Sequence, residues 1–572
     1  MNENLKQITH VCDFCVVGGG LSGMCAAIAA ARHGKKVVIM QDRPMFGGNT
    51  SSEVRMWVSG AHGKGNRETG ILEELNMENY YRNPYRTFPV WDSILFEAVK
   101  QEKNIVSLLN CSCNDCEMDG DTIVSITGWQ TTSQQWHTVR AAYFADCSGD
   151  SILAPLTGAE WTMGREARDQ YGESIAPVKA DKRTMGNTCM IQARQTNEKR
   201  TFIPPKWARK LTKEDLVHRF DPDFLPKDNF WYLELGGMEN TIDDAEKLRD
   251  DLVALAYGMW DYIKNSGECD ADNWELDWIG YLPGKRESRR YIGDYVMNQN
   301  DVSSSGKFPD TVAFGGWTMD DHDPRGIDTH EPPNCFHPAP SPFGIPYRSL
   351  YSRNIRNLFC AGRNISVTHT AMSATRVMAT CATIGQAVGT AAAIADSEPR
   401  NVDVKRLQQM LLEDGCFLPG FRMEPTELMK KADVPQVLIN GLDRGEENCW
   451  VGELGKPLDI TFAEKSHIRE IRILLDSDID RKTIGDVYLP DRPTVSNYIQ
   501  NQPTIHVPQT LIKDLTVETA EGKLLCRIAD NHQRLLVLPV DVCCSGIRIT
   551  PLATQGVEEA RIFSIQVKEE DA

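Results

Sequence analysis

Apolar and polar positions recur with different periods along the chain, and the changes of period mark its parts. The run ITHVCDFCVV ends in an apolar block at Val17 and predicts a buried strand. Gly18 to Gly23 predict a tight turn. Leu21 to His33, rich in small residues and stopped by Gly34, predict a helix, and Lys36 to Met40 a second buried strand. Strand, turn, helix and strand in that order predict a parallel sheet. The short β-prone runs Ile123–Thr127 and Thr138–Phe144, separated by polar turns, predict an antiparallel meander that rejoins the main sheet at Tyr143–Asp146. Residues 160–345 are irregular, apart from one helix marked by Leu248, Leu252, Leu255, Ala256, Met259 and Ile263, with Thr241 as its expected cap. An α/β pattern resumes with the strand Leu358–Cys360, a long small-residue helix from Ser373 to Ala395, and a short amphipathic helix over 403–415. Beyond residue 425 period two takes over, in Leu458-Ile460-Phe462, Ile468-Ile471-Ile473 and Phe563-Ile565-Val567, which predicts a β-sandwich.

Composition narrows the class. At roughly 150 residues per domain, 572 residues allow three or four domains. The 80 acidic residues against 62 basic ones give a net charge of −18, which argues against a basic nucleic-acid footprint. No uncharged apolar run reaches the length of about 18 residues that a membrane span needs. The N-terminal MNENLKQITH lacks the apolar run of a secretory signal, so the 17 cysteines predict free thiols in a reducing compartment, the cytoplasm.

The clearest chemistry lies at Gly18-Gly19-Gly20-Leu21-Ser22-Gly23, a G-x-G-x-x-G between a strand and a helix. Gly18 permits the turn, Gly20 lets the backbone approach a pyrophosphate, and Gly23 lets helix and strand pack closely. The helix N-terminus then faces the phosphates. Gln41 ends the second strand where an acid would hold the adenosine ribose, and Asp42 and Arg43 follow it. The doublet Gly47-Gly48, continued by Asn49-Thr50-Ser51, suggests a flavin rather than a nicotinamide, because a longer dinucleotide needs a second close backbone approach. Ala145-Asp146-Cys147-Ser148-Gly149-Asp150 and Ala361-Gly362-Arg363 follow strands as segments bordering a cofactor would, and the helix after Ser373 would aim its N-terminus at the flavin.

These segments, with Arg286-Glu287-Ser288-Arg289-Arg290 and Arg376-Val377-Met378, resemble the FAD-dependent oxidoreductases of the large flavoprotein superfamily. More narrowly, they resemble the heterodisulfide-reductase-like flavoproteins, some of which carry a xanthan lyase label. The resemblance spans residues 10–400 and implies bound FAD and a redox reaction, not a particular substrate. The C-terminal part is similar to galactose-binding-like sandwiches. The fold expected is therefore α/β. A Rossmann-like FAD domain of the glutathione-reductase type (1–160 and 346–424) carries an inserted mixed α+β substrate or cap domain (161–345), and a β-sandwich accessory domain follows (425–572). Deleting 430–572 should then leave a flavin-loaded core.

The expected FAD contacts are Gly18, Gly20, Leu21, Ser22, Gly23, Gln41, Asp42, Arg43, Gly47, Gly48, Asn49, Thr50, Ser51, Asp146, Gly149, Asp150, Gly362 and Arg363. Arg286, Arg289 and Arg376 are the expected substrate-side cations, since guanidinium forks hold oxygens in fixed geometry. His369 is the expected base, with His62, His322, His330 and His337 as other candidates. Cys12-x-x-Cys15 lies in the first strand, where odd spacing sends the side chains to opposite faces. No CxxxxC follows Gly48 and no second G-x-G-x-x-G is present, which argues against a pyridine-nucleotide disulfide reductase.

The expected function is oxidation of a hydroxyl of a sugar, polyol or related small molecule by hydride transfer to flavin N5. The alternatives are reduction of an activated double bond, or a non-catalytic carbohydrate-binding protein with a vestigial flavin site. Expected partners are a small-molecule substrate, carbohydrate included, and an electron acceptor that the sequence leaves unidentified, with no nucleic acid and no membrane. Assembly into a homo-oligomer stays open.

Overall fold

The computed structural model describes residues 5–221, 230–484, 487–488, 494–495 and 497–569. The chain divides into two compact units, one of Met1–Ala61, Arg86–Val404 and Asp491–Gln502, the other of His62–Tyr85, Lys405–Pro490 and Pro503–Ala572. Residues 62–85, grouped by pattern with the N-terminal domain, thus pack in the second unit.

The first unit is organised by a seven-stranded sheet. Its strands are β1 (Gln7–Val17), β2 (Val37–Met40), β3 (Ile105–Leu108), β4 (Cys111–Asp119), β5 (Thr122–Gln130) and β6 (Gln135–Asp146), in the order β3-β2-β1-β6-β5-β4, with Leu358–Cys360 joined to β6. β3, β2, β1, β6 and Leu358–Cys360 are parallel, whereas β4 and β5 are antiparallel. The meander does not merely touch the sheet at Tyr143. β6 runs beside β1 from Trp136 opposite Gln7 to Asp146 opposite Val17, and its other edge is shared between β5 and Leu358–Cys360. All four residues of β2 are buried, as a strand covered on both faces requires.

Helix α1 (Leu21–Arg32) is buried almost all round and packs on the helix Met378–Ile394. The long helix expected from Ser373 is in fact two, His369–Thr375 and Met378–Ile394, bent by 94° at Arg376-Val377. The helix Ala245–Asn265 buries the predicted apolar stripe, but its N-cap is Asp244. Thr241 instead donates its hydroxyl to the Glu287 carbonyl at 3.0 Å. Among the described residues no single helix is long and apolar enough to cross a membrane.

In the second unit the strands Trp450–Glu453, Glu559–Glu569, Leu458–Leu475, Leu535–Thr554, Ile512–Thr519 and Leu524–Ile528 form one antiparallel sheet in that order. The two short strands expected at 458–473 are halves of one 18-residue strand, which continues through irregularities at Thr461/Ser466 and Ile468/Glu470. One face of this sheet covers an aliphatic core that includes Ile460, Ile471, Ile547 and Ile565.

Candidate functional site

A cavity of about 590 Å³ opens in the first unit, at the C-terminal ends of β1, β2 and β6. Ligands of open α/β sheets bind at this position. Its first wall is the glycine loop. Gly18 has φ +105°, and a Cβ there would lie 2.4 Å from the Cys147 backbone. Gly23 abuts the Gly18 carbonyl, where a Cβ would sit at 1.9 Å. Gly20 differs. Its φ of −68° suits any residue, and the nearest atom to a Cβ would be Gly48 Cα at 3.9 Å. Gly20 therefore leaves open space beside the N-terminus of α1, whose first N–H groups have no intrahelical partner. Gly47 (φ +105°) and Gly48 (φ +58°) close the opposite side, tied on by the Gly47 N–H to Gly19 carbonyl bond of 2.8 Å.

Gln41 lines this end, and its side-chain oxygen accepts the Gly19 N–H at 2.7 Å, so it shapes the loop as well as facing the cavity. Asp42 and Arg43 line it too. Further in, Asp150 accepts from Lys285 at 2.7 Å, Arg363 at 2.9 Å and Ser288 at 2.8 Å. Burial alone would raise its pKa, but the two cations outweigh burial and hold it down at about 2. Asn49 donates to the Lys285 carbonyl at 3.2 Å. Nε of Arg363 and of Arg376 are buried at this wall without a hydrogen-bond partner among the described residues. Open space at Gly20, two left-handed glycines, a helix N-terminus and under-used guanidinium groups fit an anionic dinucleotide.

Of the expected contacts, Gly18, Gly20, Leu21, Ser22, Gln41, Asp42, Arg43, Gly47, Gly48, Asn49, Gly149, Asp150, Gly362 and Arg363 line the cavity. Four do not. Gly23 serves helix–strand packing. Thr50 is buried and accepts the Trp91 indole N–H at 3.2 Å, and Ser51 donates to the Gly48 carbonyl at 2.8 Å. Asp146 is a buried knot that accepts from Ser148, from the Leu153 N–H and from the Tyr291 hydroxyl, the last at 2.7 Å.

The far end of the cavity is built by a three-stranded sheet (Glu234–Leu235, Asn187–Thr188 and Gly284–Lys285) and by the hairpin Met319–His322 with Asn334–His337. Trp231, Trp317 and Phe336 line the cavity there together with Asp320, His322, Asn334, Arg286 and Arg376. The pleat explains this selection. Asp320 and His322 fall on one face of their strand and line the cavity, while Asp321 between them turns to His369. Asp320 accepts from Asn334 at 2.6 Å and from Arg376 at 3.3 Å.

His369, the expected base, is corrected by this geometry. It lies outside the cavity, with Nδ1 bonded to Glu287 at 2.9 Å and Nε2 to Asp321 at 3.1 Å. Burial would lower its pKa, but the two carboxylates overcome burial and raise it to about 10. The ring is an imidazolium whose N–H groups are both engaged, and it cannot accept a proton. Arg286 is corrected as well. It lines the wall, but its guanidinium donates to the Gly186 carbonyl at 3.1 Å, Thr188 at 2.7 Å and the Trp231 carbonyl at 2.8 Å, so it braces strands. Arg289 lines the cavity beside Asp150 and lies 5.2 Å over Trp161, on the side of the cofactor loops. Lys285, Trp231, Trp317, Asn334 and Phe336 line the cavity without an individual signal in the sequence. Lys285 sits within the basic run already noted, whereas isolated tryptophans in an irregular region carry no local signal.

The model of the FAD dependent oxidoreductase family matches residues 13–411. No curated protein matches the chain. Among solved structures, 71% of the chain is similar to 84% of a geranylgeranyl bacteriochlorophyll reductase-like protein from Thermoplasma acidophilum, at 11% identity and a TM-score of 0.33. A similar share, 71%, matches 79% of a myxobacterial chondrochloren halogenase described as a variant of FAD-dependent halogenases, at 12% identity and a TM-score of 0.32. The whole of the family 32 carbohydrate-binding module of Streptococcus pneumoniae EndoD matches 26% of the chain, at 12% identity and a TM-score of 0.19. Every residue that walls the cavity, from Val17 to Cys381, falls within the family match, and the chain belongs to the FAD dependent oxidoreductase family, an FAD-dependent oxidoreductase.

Proposed function

We propose that the enzyme oxidises a hydroxyl of a sugar, polyol or related small molecule at the far end of the cavity. The observation that carries this reading is the mixture of aromatic with charged and amide side chains in one wall: Trp231, Trp317 and Phe336 together with Asp320, Asn334 and Arg376. A polyol presents C–H faces that suit aromatic rings and hydroxyls that need both donors and acceptors. Asp320 offers carboxylate oxygens, Asn334 both an acceptor and donors, and Arg376 donors only. Bonds to ionised partners are the stronger ones, and unpaired polar groups would penalise a purely apolar ligand. Bound FAD supplies a two-electron acceptor. Arg376 stays protonated, so its part is to hold a substrate oxygen, not to move its proton.

The test is an anaerobic panel of sugars, polyols and simple alcohols mixed with the flavin-loaded enzyme. Bleaching of the oxidised flavin band by a polyhydroxylated compound is expected. A panel with no bleaching, together with reoxidation of the dithionite-reduced enzyme by an activated alkene, would reverse the reading in favour of a double-bond reductase.

A further inference from the structure

Resting on that reading of the site, the geometry points to His322 as the group that takes the substrate's hydroxyl proton, and to Glu234 as its positioning residue. His322 ends the strand Met319–His322 and, with Asp320 two residues before it, faces the cavity. Its Nδ1 is 2.7 Å from Glu234 Oε2, on the strand Glu234–Leu235 behind the wall, and the Glu234 side chain is 1% exposed. Trp231 meets the imidazole edge-on, with ring centroids 5.6 Å apart, and fixes its plane.

These contacts orient the ring. Burial would raise the Glu234 pKa, but it lies below the ordinary carboxylate range, with the Arg286 guanidinium the largest opposing influence. An ionised carboxylate only accepts hydrogen bonds, so the His322 nitrogen that donates to Glu234 is Nδ1, and Nε2 is the nitrogen turned away from Glu234. The polar neighbour of Nε2 is Asp320 Oδ2 at 3.5 Å, beyond a good hydrogen bond. The contrast with His369 is direct. Both histidines stand between a glutamate and an aspartate, but His369 has both nitrogens bonded and is walled off, whereas His322 has one nitrogen bonded and borders the cavity.

In the step proposed, the substrate O–H bond breaks and its proton goes to Nε2 of His322. The C–H hydrogen leaves with its electron pair to the acceptor that FAD supplies, and the carbon–oxygen double bond forms. The imidazolium produced lies between Glu234 and Asp320, which stabilise it. The charged groups around His322 are Glu234, Arg286, Asp320 and Arg376, with Asp321 next to it in the strand but turned to His369.

The experiment uses the flavin-loaded enzyme with whichever hydroxyl compound bleaches the wild type. His322→Ala is expected to retain FAD and to bind the substrate's ketone product, read from the absorption of bound flavin, with unchanged affinity. Flavin reduction should slow by about 100- to 10,000-fold, and added imidazole should restore part of the rate. Glu234→Gln should lower kcat at constant KM, the split expected of a residue that only positions the base. His322→Gln, whose amide can still reach Glu234, serves if the alanine variant does not fold, and the same loss of rate is expected. Wild-type rates in either His322 variant overturn the proposal. So does a loss that imidazole leaves unchanged while product affinity falls in parallel, since that marks a binding residue. If no hydroxyl compound bleaches the wild-type flavin, the substrate reading fails first and this proposal falls with it.

Discussion

Gly20 and His369 show how much one residue decides. Gly20 has an ordinary φ, and a Cβ there would meet no atom closer than 3.9 Å, so the free protein tolerates a side chain at this position. A side chain would nevertheless fill the space where the pyrophosphate must approach the helix N-terminus. Gly20→Val should therefore purify folded, with an unchanged circular dichroism spectrum, but without the flavin absorbance of the wild type. Full flavin content in that variant would refute the phosphate-loop assignment. At His369 the issue is charge. Removing the imidazolium leaves the buried Glu287 and the part-exposed Asp321 facing each other. Because the Asp321 side chain keeps 32% of its surface in water, the cost should lie near the lower end for breaking a buried pair, about 3 kcal/mol. The pH dependence follows from the sign of the shift. The folded-state pKa is about 10 against 6.5 for a free imidazole, so the folded protein holds the extra proton between those values. That contribution is complete below pH 6.5 and is lost as pH rises toward 10. Urea denaturation should show wild-type stability falling across this window, with a flatter profile in His369→Ala. Identical profiles would mean that the ring is neutral.

At the level of elements, the cofactor end depends on how closely two helices approach. Gly385 and Gly389 of the helix Met378–Ile394 face Ser22 and Ala26 of α1, and a Cβ would stand 2.0 Å and 2.1 Å from the carbonyl oxygens of those two residues. Helix propensity favours alanine over glycine by about 1 kcal/mol. Overpacking against a backbone atom costs about 1–3 kcal/mol, and the contact here is far inside van der Waals range. Gly385→Ala should thus be destabilising, and it should also weaken FAD retention, because Ser22 borders the cavity. A thermal melt and the flavin-to-protein absorbance ratio measure the two effects. A raised Tm would mean that propensity wins and that the helices can separate at little cost. The bend at Arg376-Val377 belongs to the same scale: it ends one helix, starts the next and turns Arg376 toward Asp320.

For the molecule as a whole, chain order and compact units do not coincide. Deleting residues 430–572 would remove Asn497 and Tyr498, which pair within the first unit: Asn497 accepts the Ala193 N–H at 3.0 Å, and the Tyr498 N–H donates to the Ala193 carbonyl at 3.0 Å. It would also strip the helix Ile71–Arg82 of its partners in the second unit, among them Arg481, 3.2 Å from the buried Glu73. Met77 and Tyr80 of the same helix would lose Ile505, against which they are buried, and turn an apolar face to water. The truncated chain is therefore expected to be insoluble, against the simpler expectation of a free-standing flavin core. A soluble, yellow product with a wild-type spectrum would contradict this.

The parts legible in the sequence are those that local sterics fix. The strand ending at Val17, the glycine loop, α1, the Gly47-Gly48 approach and the period-two texture after residue 425 follow from backbone freedom and side-chain periodicity over a few neighbouring residues, and most of the expected cofactor contacts line the cavity for that reason. The substrate end was not legible in the same way. His369 and His322 are both buried histidines with a carboxylate on either side, and their own neighbours in sequence do not distinguish them. Their partners are brought from 82 residues away in one case and 88 in the other. The pleat of one short strand sends Asp321 to the first histidine and keeps Asp320 beside the second. Only the tertiary structure could make that assignment, because the charge and proton affinity of a buried group are set by what surrounds it in space, and chain order does not encode those surroundings locally.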